Sequence, residues 1–104
     1  MILGCPFDVF GFALLQCMIA QRLGVCPGIY THTISNAHVY DNHYEGAKEI
    51  ISRKNDHKNI ELHLPKDSLK RAEQKDENLV GEILADLQTQ YNPLPPIDGL
   101  EIAL

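Results

Sequence analysis

The chain has 104 residues, of which 44% are hydrophobic, and this length and composition suffice for one folded domain. Nine basic and 14 acidic side chains give a net charge of −5 at pH 7. This balance argues against a protein that binds nucleic-acid polymers, because such binding depends on clustered lysine and arginine. A single nucleotide stays compatible with it, since a few placed arginines suffice for one phosphate.

No segment is typical of a membrane-spanning or secreted protein. The longest apolar run covers residues 9–15, whereas a helix that crosses a bilayer needs about 20 residues. Residues 1–4 lack the basic region that opens a signal peptide. We therefore expect a soluble protein of the cytoplasm.

The cysteines and histidines indicate neither a disulfide framework nor a metal site. The cysteines at positions 5, 17 and 26 are odd in number and no pair has the C-x-x-C spacing. His32, His38 and His43 match no zinc signature. We expect buried, reduced thiols and no metal.

The first predicted helix begins at Pro6 and ends at Leu23. Proline suits the first helical turn, where its missing N–H costs nothing, and Gly24 stands where a helix stop is expected. The helix is apolar on nearly every side, so we expect it to be buried. Because a domain of about 100 residues buries only about two-thirds of its surface, the helix also indicates a covering partner, either the rest of a longer chain or a second subunit.

A strand and a second helix are predicted next. The threonine and isoleucine content of residues 29–36 favours a strand, whose alternating face would continue to His38 and Tyr40. Asn42 and Glu45 resemble a capping box that opens a helix ending near residue 53. The apolar side chains at 47, 50 and 51 would form its buried stripe.

The second half of the chain is less regular in pattern. Residues 54–59 are polar and turn-like, and residues 60–64 alternate as a half-buried strand. Residues 66–78 carry mixed charge and indicate an exposed loop or a short helix, while residues 79–87 fit a helix or a strand equally well. The prolines of residues 91–96 exclude a helix and leave an ordered extended tail or a disordered one.

Two segments carry a recognisable pattern. They are Leu3-Gly4-x-Pro6-Phe7, followed by Ala13-Leu14-Leu15 and Met18-x-Ala20-Gln21, and His38-Val39-Tyr40-x-Asn42-His43. Together they resemble the C-terminal part of the thymidylate synthase and deoxycytidylate hydroxymethylase family, whose members add one carbon to C5 of a pyrimidine deoxynucleotide. Tyr91-Asn92-Pro93 and the apolar residues 102–104 look like the closing tail of that family.

The resemblance implies an α+β fold, in which a large mixed β-sheet surrounds a buried central helix. This chain would supply an incomplete version, with residues 1–104 forming the C-terminal part of a thymidylate synthase-like domain. The family is dimeric through its sheet, so the implied protein partner is a second copy or the missing N-terminal half. The implied cofactor is 5,10-methylenetetrahydrofolate, and the implied substrate is dCMP or dUMP.

Asp8 stands where the thymidylate synthase members of the family have Asn, whose amide can donate to uracil O4 and accept from uracil N3–H. A carboxylate instead accepts from the N4 amino group of cytosine, whereas with uracil it would face the O4 lone pairs. A desolvated mismatch of this kind costs about 1–3 kcal/mol. The resemblance therefore implies that Asp8 reads the base and favours dCMP, as in the hydroxymethylase members. The alternative is an acidic residue that stabilises the first helical turn through the helix dipole.

The resemblance assigns further residues to the substrate and the cofactor. His38 and Tyr40 would hold the deoxyribose 3′-hydroxyl, and Leu3, Gly4 and Phe7 would contact the folate. The alternatives are structural: a hydrogen-bonded histidine and a buried tyrosine at a strand end, and a hydrophobic staple of Phe7 and Leu3 against the helix.

Transfer of one carbon to C5 requires a thiolate that first adds to C6, which is covalent catalysis. In the family this cysteine lies in a Pro-Cys-His context upstream of the first pattern, as do the residues that hold the phosphate and the pterin. The chain begins two residues before Leu3, and its cysteines lack that context. We therefore expect no catalytic residue in this chain and no activity from it alone. It would be the C-terminal part of a one-carbon transferase or, alternatively, a non-enzymatic nucleotide-binding or dimer-forming relic of that fold.

Overall fold

A computed structural model describes residues 1–56 and 58–102 of the chain. The regular structure of these residues is helical. It consists of α1 (Cys5–Leu23), a 3₁₀ turn (Asp41–His43) that leads directly into α2 (Tyr44–Ser52), α3 (Ser68–Glu73) and α4 (Asn78–Gln90). The helix predicted to end near residue 53 therefore ends at Ser52, and the ambiguous residues 79–87 are helical.

Helix α1 ends at Leu23, as the sequence predicts, and begins at Cys5, one residue before the predicted start. A proline occupies its first turn, and Gly24 follows it with φ 70°, in the left-handed region that favours glycine. The N–H of Val25 donates to the carbonyl of Ala20 at 3.0 Å, and the N–H of Gly24 donates to that of Gln21 at 3.1 Å. This pair of bonds is a Schellman motif, which satisfies the last carbonyls of the helix.

The prediction that α1 is buried on nearly every side is wrong for the described chain. Met18 and Ala20 are its buried residues, whereas the side chain of Phe7 is 80% exposed and those of Phe10 and Phe12 are more than half exposed. The reason is that α1 packs against α3 and, through Met18, against α4, while the faces that carry Phe7, Phe10 and Phe12 stay largely uncovered by the described residues. A helix that is apolar all round needs such cover.

The hydrophobic core is small and lies between α1 and α4. Met18, Leu79 and Ile83 are buried together. Partly buried leucines pack around them, at positions 14, 62, 64, 69 and 87. Residues 60–64 therefore contribute two leucines to the core although they form no strand.

A polar contact fixes the start of α3 against α1. The side-chain amide of Gln21 donates to the carbonyl of Pro65 at 2.9 Å and accepts from the N–H of Ser68 at 3.1 Å. Ser68 is fully buried, and its hydroxyl also donates to the carbonyl of Pro65. One side chain of α1 thus satisfies backbone groups that the helix start would otherwise leave unpaired.

The two predicted strands, residues 29–36 and 60–64, are absent from the structure, and no strand occurs elsewhere in the described residues. The α+β mixed sheet is therefore not confirmed. A strand exists only where a neighbouring strand pairs with it, and neither segment has such a neighbour. Residues 35–36 form a turn instead, and residues 60–64 take their backbone partners from side chains of α4.

The predicted capping box and buried stripe of α2 are also wrong. Asn42 lies within the 3₁₀ turn, and its amide donates to the carbonyl of Glu101 at 3.2 Å instead of capping the helix. Ile50 is 47% exposed and Ile51 is 83% exposed. The buried residue of α2 is Gly46, because the C-terminal tail passes over it.

Residues 91–102, the C-terminal tail, contain no helix, which agrees with the exclusion of a helix at residues 91–96. The last two residues of the predicted closing tail, 103 and 104, lie outside the described residues. Cys5 and Cys17 are partly buried, but Cys26 is exposed, so the expectation of buried thiols is wrong for Cys26. Within the described part of the chain, no helix has the length and apolar character needed to cross a membrane.

Candidate functional site

A pocket of about 360 Å³ opens between the start of α1 and the irregular segment that precedes α2. Its lining comes from two stretches far apart in sequence: Met1, Gly4, Cys5 and Asp8 on one side, and residues 32–38 on the other. A turn at residues 35–36 lies within the second stretch, which faces the N-terminal end of α1 across the pocket. Asp8 and His38, both predicted to contact the substrate, therefore line one pocket.

Asp8 occupies the first turn of α1, and its side chain is exposed. A carboxylate at this position is stabilised by the positive end of the helix dipole. None of the ion pairs among the described residues involves Asp8. Both carboxylate oxygens can therefore accept hydrogen bonds from a ligand in the pocket.

His38 is held in a defined orientation. Its Nδ1 lies 2.9 Å from the carbonyl oxygen of Asn36. Because a carbonyl can only accept, Nδ1 carries the proton, and in the neutral imidazole Nε2 is left as an acceptor. This arrangement suits a ligand that offers a hydroxyl group to Nε2.

Tyr40 lies beside His38, although it does not line the pocket. The two ring centroids are 5.6 Å apart, with an angle of 49° between the ring planes. Tyr40 is partly buried. The structure thus brings together the imidazole and phenol of the His-x-Tyr pattern, and of the two only the imidazole lines the pocket together with Asp8.

Of the three residues assigned to the cofactor, Gly4 lines the pocket, and Leu3 and Phe7 do not. Leu3 is partly buried, and the ring of Phe7 is 80% exposed beside Asp8. A Cβ atom added to Gly4 would meet nothing within 4 Å. There is therefore open space at Gly4, and an uncovered aromatic face at Phe7.

His32 and Cys5 line the pocket, and the sequence had not indicated either as a substrate contact. The Tyr30 hydroxyl and His32 Nδ1 are 2.8 Å apart, so a hydrogen bond orients the imidazole. The signal in the sequence was the alternation of residues 29–36, which put His32 on the same face as His38. Cys5 precedes Pro6 in the pattern, where the resemblance implies a variable packing position that borders the pocket, and the structure has Cys5 in the pocket lining.

The arginines of the chain are engaged elsewhere. Arg22 pairs with Glu73 at 2.9 Å, and Arg53 pairs with Glu49 at 2.7 Å. Arg71 binds two carboxylates near the start of α4. None of the three lines the pocket, so among the described residues no guanidinium is placed there to bind a phosphate.

A larger cavity, of about 590 Å³, lies between α1 and α4 and is lined almost entirely by apolar side chains, among them Phe10, Leu62 and Leu84. A nucleotide site needs several converging polar groups, which this cavity does not provide. No three His, Cys, Asp or Glu side chains of the described residues are grouped so that they could hold a metal ion.

Comparison with known proteins agrees with the pattern in the sequence. The sequence model of the thymidylate synthase family matches residues 1–98. A thymidylate synthase of Clostridium beijerinckii is 46% identical over 54 residues, which are 52% of this chain and 20% of that protein. The match thus spans about a fifth of the length of that curated relative. No solved structure matches the chain. The family match over nearly the whole chain shows that this protein belongs to the thymidylate synthase family.

Proposed function

We propose that residues 1–104 are the C-terminal part of an enzyme that transfers one carbon from 5,10-methylenetetrahydrofolate to C5 of a pyrimidine deoxynucleotide. Membership of the thymidylate synthase family supports this activity. The observation that carries the proposal is the pocket shared by Asp8 and His38, because it joins the two parts of the family pattern in one place.

In this proposal Asp8 reads the base. Its carboxylate accepts a hydrogen bond from the N4 amino group of cytosine, and with uracil the same carboxylate would face the lone pairs of O4. The absence of an ion pair to Asp8 in the described residues supports this role, since a basic neighbour would compete for the oxygens. The preferred substrate is then dCMP, and the reaction is of the hydroxymethylase type.

His38 and Tyr40 bind the sugar. The Nε2 atom of His38 accepts a hydrogen bond from the deoxyribose 3′-hydroxyl, because Nδ1 donates to the carbonyl of Asn36 and leaves Nε2 without a proton. Tyr40 packs beside the imidazole and offers its phenol to the same hydroxyl. A nucleotide held at its base by Asp8 and at its sugar by His38 would span the pocket.

The residues present fit the apolar face of a folate. Phe7 exposes an aromatic ring for a pterin or its aryl tail, Gly4 has open space around it, and Leu3 precedes Gly4 in the chain. The folate supplies the one-carbon unit when it is bound. The chain's own residues orient it against the nucleotide pocket.

The covalent step lies outside these residues. It needs a thiolate to add to C6 of the pyrimidine, and the cysteines of the chain lack the Pro-Cys-His context of the family. We propose that the missing N-terminal half supplies this thiolate and that the protein is a homodimer of the cytoplasm. The proposed α+β sheet would then form only when the missing strands pair with residues 29–36 and 60–64. The uncovered phenylalanines of α1 support a covering partner of this kind.

The test is a calorimetric titration of the purified chain with dCMP, dUMP and, as a control, a purine deoxynucleotide. We expect saturable binding of dCMP that is about tenfold or more tighter than that of dUMP, and no binding of the purine. Light scattering of the same samples reports the oligomeric state. Failure of both pyrimidine nucleotides to bind, or equal binding of all three, would contradict the proposal.

A further inference from the structure

His43 is the most deeply buried large side chain among the described residues, with 1% of its surface exposed. It ends the 3₁₀ turn that leads into α2 and lies between Tyr40 on one side and the C-terminal tail on the other. It does not line the pocket, and neither the base nor the sugar has been assigned to it. A buried imidazole at this junction calls for an explanation of its own.

The tail is attached to the imidazole by a short hydrogen bond. The Nε2 atom of His43 lies 2.6 Å from the carbonyl oxygen of Glu101. Since the carbonyl only accepts, Nε2 carries the proton and donates it. The side-chain amide of Asn42 donates to the same oxygen at 3.2 Å. Two neighbouring side chains therefore donate hydrogen bonds to one carbonyl of the tail.

The other side of the imidazole contacts the His-x-Tyr pattern. The ring centroids of His43 and Tyr40 are 5.1 Å apart, with 55° between the ring planes. The ring of Tyr40 then contacts that of His38, which lines the pocket. Three rings in sequence thus connect the tail to the pocket, in the tilted arrangement that aromatic rings favour.

Next to this hydrogen bond, apolar side chains of the tail pack on α2. Leu100 and Ile97 lie over Gly46, so closely that a Cβ atom there would be 3.0 Å from Leu100 Cδ2 and 3.6 Å from Ile97 Cγ2. Gly46 is buried as a result. The apolar packing on Gly46 and the hydrogen bond to His43 hold the same short part of the tail, residues 97–101.

We propose that His43 is a positioning residue, which holds Tyr40 and, through it, His38 in place for the sugar, and that tail residues 97–101 set the orientation of the His43 ring. The sugar part of this inference rests on the proposed function. The coupling between the tail and the three rings is a property of the chain without any ligand.

The coupling is tested by NMR of the ring and backbone signals of the 104-residue chain, its His43→Phe and His43→Gln variants, and a form that ends after Asp98. His43→Phe keeps a ring but removes the donor, so the amide signals of Leu100 and Glu101 move towards their random-coil positions and the ring signals of Tyr40 and His38 shift. The shortened form gives the same shifts of the two rings. His43→Gln keeps a donor and restores the tail signals towards those of the wild type.

A matched control is His63→Phe, which makes the same change at an imidazole that contacts Asp86 of α4. It leaves the ring signals of Tyr40 and His38 where they are in the wild type. Ring signals that are unchanged in both His43→Phe and the shortened form would overturn the inference, and the shortened form decides the matter if His43→Phe fails to fold.

The sugar part is tested by titration with dCMP. His43→Phe weakens binding about fivefold, the factor expected when one ordered hydrogen bond is lost, while the helix content measured by circular dichroism is unchanged. Equal affinity of the wild type and His43→Phe would overturn the positioning role. If the wild type binds no nucleotide, the proposed function fails, and the NMR result still decides whether the tail and the rings are coupled.

Discussion

The side chain of Gln90, on α4, pairs with the backbone of Glu61 as a neighbouring strand would. Its amide nitrogen donates to the carbonyl of Glu61 at 2.9 Å, and its amide oxygen accepts from the N–H of Glu61 at 2.9 Å. One turn earlier on the same helix, the carboxylate of Asp86 accepts from the N–H of His63 at 3.3 Å. Four residues of helix advance about 6 Å and two residues of extended chain about 6.7 Å, so the two spacings match.

The first prediction concerns this pairing. Gln90→Ala removes both hydrogen bonds to Glu61 and lowers the free energy of unfolding by about 1–2 kcal/mol, near the lower value because the site is partly exposed to water. Urea unfolding followed by circular dichroism measures the change. Gln88→Ala, the same substitution two residues earlier on α4, is the control and has little effect. Equal stability of the two variants would show that the pairing contributes nothing.

The same contacts explain why the helices could be predicted from the sequence and the strands could not. The ends of α1 depend on residues at or next to those ends, such as Pro6 and Gly24, so the local sequence is enough to predict them. A strand depends on a partner elsewhere. Residues 60–64 alternate as a strand does, yet their partners are side chains of α4, and nothing in the alternation indicates that.

In the candidate site, too, the residues that a local pattern identifies could be predicted, and those that depend on distant contacts could not. The family pattern pointed to Asp8 and His38, and the structure places both on one pocket. The burial of His43 could not be read from its neighbours in sequence, because the group that covers it is the carbonyl of Glu101, near the other end of the chain. The same distant tail diverts the side chain of Asn42 from the predicted cap.

The second prediction concerns acid stability. Hydrogen bonds from the Arg71 guanidinium, at 2.8 Å, and from the backbone N–H of Asn78 hold the pKa of Asp76 below its ordinary value of 3.8. Hydrogen bonds to Glu82 and then Asp76 raise the pKa of Arg71, which stays charged throughout the acid range. A carboxyl group with a depressed pKa adds stability above its unfolded pKa, and this stability is lost as the pH falls through the folded pKa.

The urea midpoint of the wild type therefore falls as the pH is lowered from 5 towards 2, and that of Asp76→Asn falls less steeply because the group no longer titrates. Parallel unfolding curves of the two proteins at several pH values measure the difference. Asp98→Asn, which changes an exposed carboxylate of the tail, is the control and keeps the slope of the wild type. Identical slopes for wild type and Asp76→Asn would contradict the assignment.

The third prediction concerns the choice of base. Asp8→Asn replaces an acceptor-only carboxylate with an amide that can donate to uracil O4 and accept from uracil N3–H. We expect the preference for dCMP over dUMP to reverse, so the ratio of the two dissociation constants changes by clearly more than the initial preference of about tenfold. Calorimetry with both nucleotides measures this ratio. Asp41→Asn, at an exposed aspartate that does not line the pocket, is the control. An unchanged ratio in Asp8→Asn would remove Asp8 from base recognition.

The fourth prediction compares two glycines, in order to separate the packing of the tail on Gly46 from the effect of helix propensity. Gly81 is exposed in α4, and a Cβ atom there meets nothing within 4 Å, so Gly81→Ala raises the free energy of unfolding by about 0.5–1 kcal/mol. At Gly46 the same substitution gives α2 the same gain in propensity. It also places a methyl group 3.0 Å from Leu100 Cδ2.

Leu100 belongs to the tail and can move outwards, so the expected result of Gly46→Ala is a displaced tail without a large loss of the fold. The gain in unfolding free energy is then smaller than that of Gly81→Ala, and the amide protons of residues 100–102 exchange faster with solvent. Urea unfolding and hydrogen exchange of both variants measure the two effects. If Gly46→Ala gains as much stability as Gly81→Ala and leaves tail exchange unchanged, the tail does not rest on Gly46 in solution.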